Sequence, residues 1–192
     1  MTPRVEDLRT KRLRFRRFTR DDIDLLLELD SDPEVMRWLT GGKASTREFY
    51  EEAMPRILAT YESGPSRGTF GAEQIGADGV WRFVGWFHLK DGFHWPGELE
   101  LGYRLRRSAW GRGLATEGSV ALIRHALEDL GEPVVVAGTM LGNVGSQRVM
   151  VKAGMEFACG YIEHRWEGPD QRAVKYHAQA GRWGVAKPGD SV

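Results

Sequence analysis

"ELELGYRLRRSAWGRGLATEG", residues 98–118, runs through three kinds of local order in succession. Leu99, Leu101, Tyr103 and Leu105 alternate with Glu98, Glu100, Gly102 and Arg104, the period of a strand with one apolar and one polar face. Gly111 and Gly113 then break the chain, and Val120, Ile123, Leu127 and Leu130 follow at helical spacing, predicting a helix to about Leu130. Glycine admits positive φ and lets a ligand come close to the main chain. The helix start behind it offers unpaired N–H groups and a positive dipole end, which together suit an anion. By itself the stretch fits a tight strand-to-helix connection equally well. No Gly-Lys-Ser/Thr follows, which excludes NTP hydrolysis, and the spacing is not G-x-G-x-x-G.

Upstream, "LRFRRF" (Leu13–Phe18) reads as a first strand, and "TRDDIDLLLELD" as a helix capped by Thr19 or Asp21. "SDPEVMRWL" is a short helix with Ser31 or Asp32 as cap and Pro33 in its first turn. In "STREFYEEAMPRILATYES", Ser45 and Glu48 match a capping box, and Pro55 is expected to kink or divide the helix. "TFGAEQI", the turn "GADG" and "WRFVGWFHLK" predict a hairpin. Downstream, "PVVVAGTM" reads as a central strand, "NVGSQRVMVKAG" as a helix stopped by Gly154, and "MEFACGYIEH" and "AVKYHAQA" as two more strands. The order is strand, helices, three strands, helix, strand, helix, two strands. It implies a single α/β (α+β) domain over residues 1–180 with a mixed sheet, and a frayed tail over 181–192.

The chain has 192 residues, 41% hydrophobic and 28% charged, enough for one substantial core. Its 27 basic and 27 acidic residues cancel, giving no global field for DNA or a membrane. The basic strip Lys11–Arg17 reads as an amphipathic strand with Leu13 and Phe15 inward and Arg12, Arg14 and Arg16 outward; an RNA-contacting strip is the competing reading. The lone Cys159 can form no internal disulfide and is expected as a small buried hydrophobe, and no His/Cys spacing suggests a metal. No leader-like or membrane-spanning apolar run is evident, so a cytoplasmic location is expected.

Taken in order, "ELELGYRL", "WGRGLATE", "PVVVAGTM" and N-x-x-S-x-x-V-x-x-K-x-G-M-x-F (Asn143 to Phe157) resemble the GNAT superfamily of N-acetyltransferases. The resemblance extends over nearly the whole chain and is closest to the RimJ/RimL type, whose opening and first helical region "LRTKRLRFRRFTRDDID" and "DPEVMRWL" resemble. It implies a sheet of about seven mostly antiparallel strands with splayed central strands. It also implies acetyl-CoA as co-substrate, an amine acceptor (a protein N-terminus or a small amine) and a homodimer.

The family's cofactor motif falls on Trp110, Gly111, Arg112, Gly113, Leu114 and Ala115, with Trp110 departing from the usual Gln/Arg. The resemblance implies that the Gly111–Ala115 amides cradle the pyrophosphate, with Arg112 adding a charged contact. The pantetheine arm would then lie along exposed backbone from Tyr103 to Leu105, in a gap facing the Val134–Ala137 strand. Asn143 would bond that arm, cap a helix, or do both. Glu100 is the candidate base, against the reading of a plain solvated strand glutamate like Glu98. A main-chain N–H near Tyr103–Leu105 would meet the oxyanion. Many relatives donate the final proton from a Tyr where this chain has Met150; Ser146 matches the RimJ/RimL serine, with Tyr103 as the fallback donor and a first-turn helix serine as the competing reading. The competing functional class is a GNAT-fold protein that holds acyl-CoA without catalysis. The acceptor pocket is expected between the early helices and the later loops.

Overall fold

Strands Leu13–Arg17 (β1), Gly68–Ile75 (β2), Trp81–Asp91 (β3), Leu99–Leu105 (β4), Val134–Met140 (β5), Glu156–Ile162 (β6) and Arg172–Gln179 (β7) form one sheet in a computed structural model that describes residues 4–62 and 66–184. Their order is β1-β2-β3-β4-β5-β7-β6. Every neighbouring pair is antiparallel except β4 and β5, which run parallel. This is the mixed sheet expected from the sequence.

The alternation read in β4 holds: Leu99, Leu101 and Leu105 are buried in the larger core, while Glu100, Gly102 and Arg104 lie on the opposite face. On the apolar face sits helix Leu114–Arg124 (α4), whose last turn widens over His125–Asp129 before Leu130. Gly118 lets α4 seat closely, because a Cβ there would come within 2.4 Å of the Phe87 ring. Helix Val144–Lys152 (α5) packs beside α4, and its buried Met150 belongs to the same core. The other face carries helices Ile23–Asp30 (α1), Pro33–Met36 (α2) and Arg47–Thr60 (α3), which build a second core around Phe18, Leu26, Leu29 and Met54.

Four local readings are corrected. Helix α3 runs through Pro55 undivided; the missing N–H frees only the Glu51 carbonyl, at an exposed residue that water can serve. Its cap is Thr46, which accepts from Phe49 N–H at 3.2 Å, while Ser45 instead donates to Asp30 at 2.5 Å. Cys159 is exposed, since β6 is an edge strand whose pairing with β7 slips between Phe157 and Cys159. Residues 181–184 are held against the domain, with the Trp183 indole donating to the Ala153 carbonyl at 2.9 Å; residues 185–192 of the expected tail lie outside the described residues. The β1 strip is the amphipathic strand, and its arginines are engaged: Arg14 and Arg16 reach Glu73, Arg16 also Asp22, and Arg12 reaches Glu117.

Candidate active site

β4 and β5 are in register only at Leu99 with Val135 and Glu100 with Val136. Beyond Glu100 they part, leaving the facing edges of Leu101–Leu105 and Ala137–Met140 without strand partners. Such an opening in mid-sheet leaves backbone donors and acceptors that an extended ligand can pair with.

At the end of β4, Gly111 (φ 69°) and Gly113 (φ 75°) take the left-handed turn that delivers the chain into α4. Among the described residues, no amide from Gly111 to Ala115 donates a backbone hydrogen bond. Arg12 braces the loop: it donates to the Arg112 carbonyl at 2.7 Å and is fixed in turn by Glu117 at 2.6 Å. Free amides, a helix start and bare glycines together form a cradle that could hold an anion. The Arg112 side chain is exposed beside it. Trp110 turns its indole back to donate to the Leu105 carbonyl at 2.9 Å, which ties the turn to the end of the opened strand. The sequence missed the bracing role of Arg12 and Glu117; only the charge of each was legible.

Tyr103, on the core face of the opened stretch, donates its hydroxyl to Ser146 Oγ at 3.1 Å. Burial pushes the phenol up to about 12, although the bond to Ser146 works against that rise. Asn143 caps α5, its Oδ1 accepting from Ser146 N–H at 3.2 Å, so the capping reading of Asn143 holds. Met150 is buried in the core, against which Tyr103 also packs.

On the other face, the structure separates the two glutamates. Glu98 is ion-paired to Lys175, whose ammonium lies 4.7 Å from the Trp95 ring centre. Glu100 makes no ion pair among the described residues and accepts only a 3.2 Å bond from the Phe93 amide. Tyr161 of β6 lies close enough to Glu100 to feel its charge; burial first, then Glu163 and Glu100, raise its phenol to about 12. Nothing in the spacing of the sequence connected these two residues.

A cavity of about 910 Å³ opens on this polar face, between α2, α3, the strand residues Trp86, His88 and Arg104, and the loop Arg165–Gly168. It lies between the early helices and a later loop, the region where an acceptor pocket is expected. Its floor is a buried cluster that the sequence did not reveal: Asp30 binds Arg104, accepts from Tyr50 at 2.6 Å, and takes the Ser45 hydroxyl. Trp86 lines the cavity, Trp38 packs on Gly142 just before α5, and Trp95 covers Gly138 of β5.

The glycine-turned anion cradle and the parted strands occur together with a family model that matches residues 12–156, the acetyltransferase (GNAT) domain. The chain belongs to the GNAT acetyltransferase family. Its members use acetyl-CoA as co-substrate, and this GNAT chain is accordingly an acyltransferase. A curated relative, the FsC-acetyl coenzyme A-N(2)-transacetylase of Aspergillus fumigatus, is 31% identical over 189 residues, covering 92% of this chain and 77% of the relative. The spermidine N-acetyltransferase of Vibrio cholerae, solved with CoA and spermine, superposes with a TM-score of 0.73 at 13% identity, over 91% of this chain and 99% of that one. The ribosomal L7/L12 α-N-protein acetyltransferase RimL in complex with coenzyme A gives 0.73 at 13% identity, over 89% and 96%. The two structures share the fold. Among the described residues no group of three or more His, Cys, Asp and Glu is placed to hold a metal, and no helix is long and apolar enough to cross a membrane.

Proposed function

We propose that this GNAT enzyme transfers the acetyl group of acetyl-CoA directly to a primary amine within a ternary complex. The observation that carries the reading is the parting of β4 and β5 directly after Glu100, with the anion cradle at one end and the polar cavity on one face. The amides of Gly111–Ala115 and the Arg112 side chain hold the pyrophosphate, and the open backbone of Tyr103–Leu105 aligns the arm. Trp110 serves the cradle by fixing the Leu105 carbonyl, and Asn143 adds an amide beside the arm while capping α5. Bound acetyl-CoA supplies the thioester.

Glu100 takes a proton from the acceptor nitrogen, directly or through one water, as the N–C bond forms and the C–S bond breaks. An amide near Tyr103–Leu105 meets the negative charge on the carbonyl oxygen. Ser146 hands its hydroxyl proton to the departing sulfur and recovers one from Tyr103 or solvent. The 3.1 Å hydrogen bond between the Tyr103 and Ser146 hydroxyls couples them as one proton-relaying pair.

The acceptor is an amine of the kind that RimL-like and spermidine-acetylating relatives take, a protein N-terminus or a small molecule; likeness to both supports an amine without favouring the RimJ/RimL branch. Thiol release from acetyl-CoA against a panel of amines and peptides tests the reading. Acceptor-dependent release that vanishes in Gly113→Asp supports it. Release that ignores every acceptor counts against it.

A further inference from the structure

The cavity over the polar face of β3 and β4 carries a charge pattern of its own. Five cationic side chains line it against a single carboxylate, Glu167. Three of the five are matched: Lys43 faces Glu167 at 3.6 Å, Arg104 holds Asp30, and Arg165 holds Glu163. Lys90 and Arg56 have no hydrogen-bond or ion-pair partner among the described residues. A second ammonium on the acceptor would meet like charges here, at a cost and with no compensating carboxylate. An anionic group would meet the reverse.

The register says where that group belongs. Lys90 lies directly across from Glu100 on the same face, with His88 across from Gly102 and Trp86 across from Arg104. Directly opposed residues have Cβ atoms about 4.5–5.5 Å apart, yet Lys90 and Glu100 form no ion pair. Glu100 therefore presents a carboxylate held only by the Phe93 amide, and Lys90 an ammonium without a partner among the described residues, on neighbouring strands. Between them and Arg104 the strand is bare at Gly102, over which the His88 ring lies so closely that a Cβ would meet its Nε2 at 2.4 Å. Arg104 uses only Nη1, on Asp30 and Tyr50, and its buried Nε has no partner. The far wall is aromatic, with Phe49, Tyr50 and Trp166 facing Trp86, and the volume far exceeds what an ammonium needs.

We infer that the acceptor is an α-amino acid with a bulky apolar side chain: its amine lies at Glu100, its carboxylate at Lys90, and its side chain in the aromatic cavity. This rests on the acetyl-transfer reading above and narrows its acceptor. A polyamine is disfavoured by the same geometry.

The probes are phenylalanine, phenylalaninamide and spermidine, measured by acetyl-CoA-dependent thiol release and, independently, by the shift in melting temperature that N-acetylphenylalanine and its amide produce with CoA present. The acid is expected to exceed the amide about tenfold or more in kcat/KM, the size of one charge-assisted contact. Lys90→Gln should bring that ratio close to one, and Lys90→Arg should restore most of it. The acetylated acid should raise the melting temperature more than its amide. Spermidine or the amide as the better acceptor overturns the inference while acetyl transfer stands, as does an acid-to-amide ratio unmoved in Lys90→Gln. A shift specific to the acid, with no thiol release from any of the three amines, upholds the site and counts against acetyl transfer. Equal shifts from acid and amide overturn the inference whatever the turnover.

Discussion

The hydroxyls of Tyr103 on β4 and Ser146 on α5 stand 3.1 Å apart and are hydrogen-bonded, while Met150, one further turn along α5, is buried in the core with no proton to give. The two hydroxyls are thus one unit. Ser146→Ala is expected to lower turnover by about 10²–10³ while the melting shift produced by acetyl-CoA is retained. Tyr103→Phe should cost less, and the double variant should cost little more than Ser146→Ala alone, since the partners share one role. Multiplied penalties in the double variant would argue for two separate donors, and full turnover in Ser146→Ala moves the proton to solvent or Tyr103.

The anion cradle is tested by charge at constant shape. Gly113 has φ 75° and open space around its missing Cβ, with only an Arg12 nitrogen at 3.5 Å. Gly113→Asn and Gly113→Asp therefore share the same backbone strain, in a region both side chains tolerate better than most. Thermal shift by acetyl-CoA should weaken in the Asn variant and vanish in the Asp variant, whose carboxylate repels phosphate. Identical behaviour of the two would place the pyrophosphate elsewhere.

Glu98 and Glu100 differ by their partners, and their variants should differ in kind. Glu100→Gln is expected to lose about 10²–10⁴ in turnover with cofactor binding near wild type. Glu98→Gln breaks the contact with Lys175 and should change stability slightly and turnover little. The opposite assignment of effects would falsify Glu100 as the base.

His88 gives a pH signature. Burial first, then the positive charges of Lys90 and Arg104, hold its imidazole down at about 3 against an ordinary 6.5. The folded value is the lower one, so the unfolded chain takes up the proton first as the pH falls. Stability from the neutral ring is complete above about 6.5 and is lost on the way down towards 3. Paired carboxylates such as Asp22 and Glu163 hold their values low and lose their contribution only in more acidic solution. Urea midpoints between pH 6.5 and 4.5 should therefore slope less in His88→Gln than in the parent protein. The ring keeps some surface in the cavity, which makes the parent slope shallower than full burial would give. Equal slopes would mean that the ring is well solvated.

Asp30 is fully buried and is shared by Arg104, Tyr50 and Ser45. Asp30→Ala strands a guanidinium and two hydroxyls, a loss of about 3–5 kcal/mol, to be read from denaturant unfolding. A loss below about 1 kcal/mol, the scale of an exposed ion pair, would mean that water reaches the cluster.

The elements were legible where local rules act alone. The β4 alternation, the Gly111–Gly113 turn and the Asn143 cap announce themselves within a few residues, and each stands as read. Pro55 does not divide α3, because a proline's cost depends on whether the freed carbonyl is buried, which the sequence does not state. Cys159 misled because its exposure follows from β6 being the sheet's edge, a property of strand order and not of residue type. The acceptor side was least legible. Ser45, Asp30 and Arg104 come from a loop, a helix and a strand, and Lys90 meets Glu100 only through the β3–β4 register.

That register gives β4 a double grammar. Arg104 lines the cavity and Glu100 and Gly102 share its face of the strand, whereas Leu99, Leu101 and Leu105 belong to the core and Tyr103 packs against it. On the acetyl-transfer reading proposed above, the exchangeable letters sit across the register on β3, where Trp86 and Lys90 line the cavity, while Glu100, Gly102 and Arg104 are each held by catalysis or packing. New acceptor preferences can thus arise by single exchanges in the neighbouring strand, with no insertion, no altered loop and no change in the pitch that keeps both alphabets in phase.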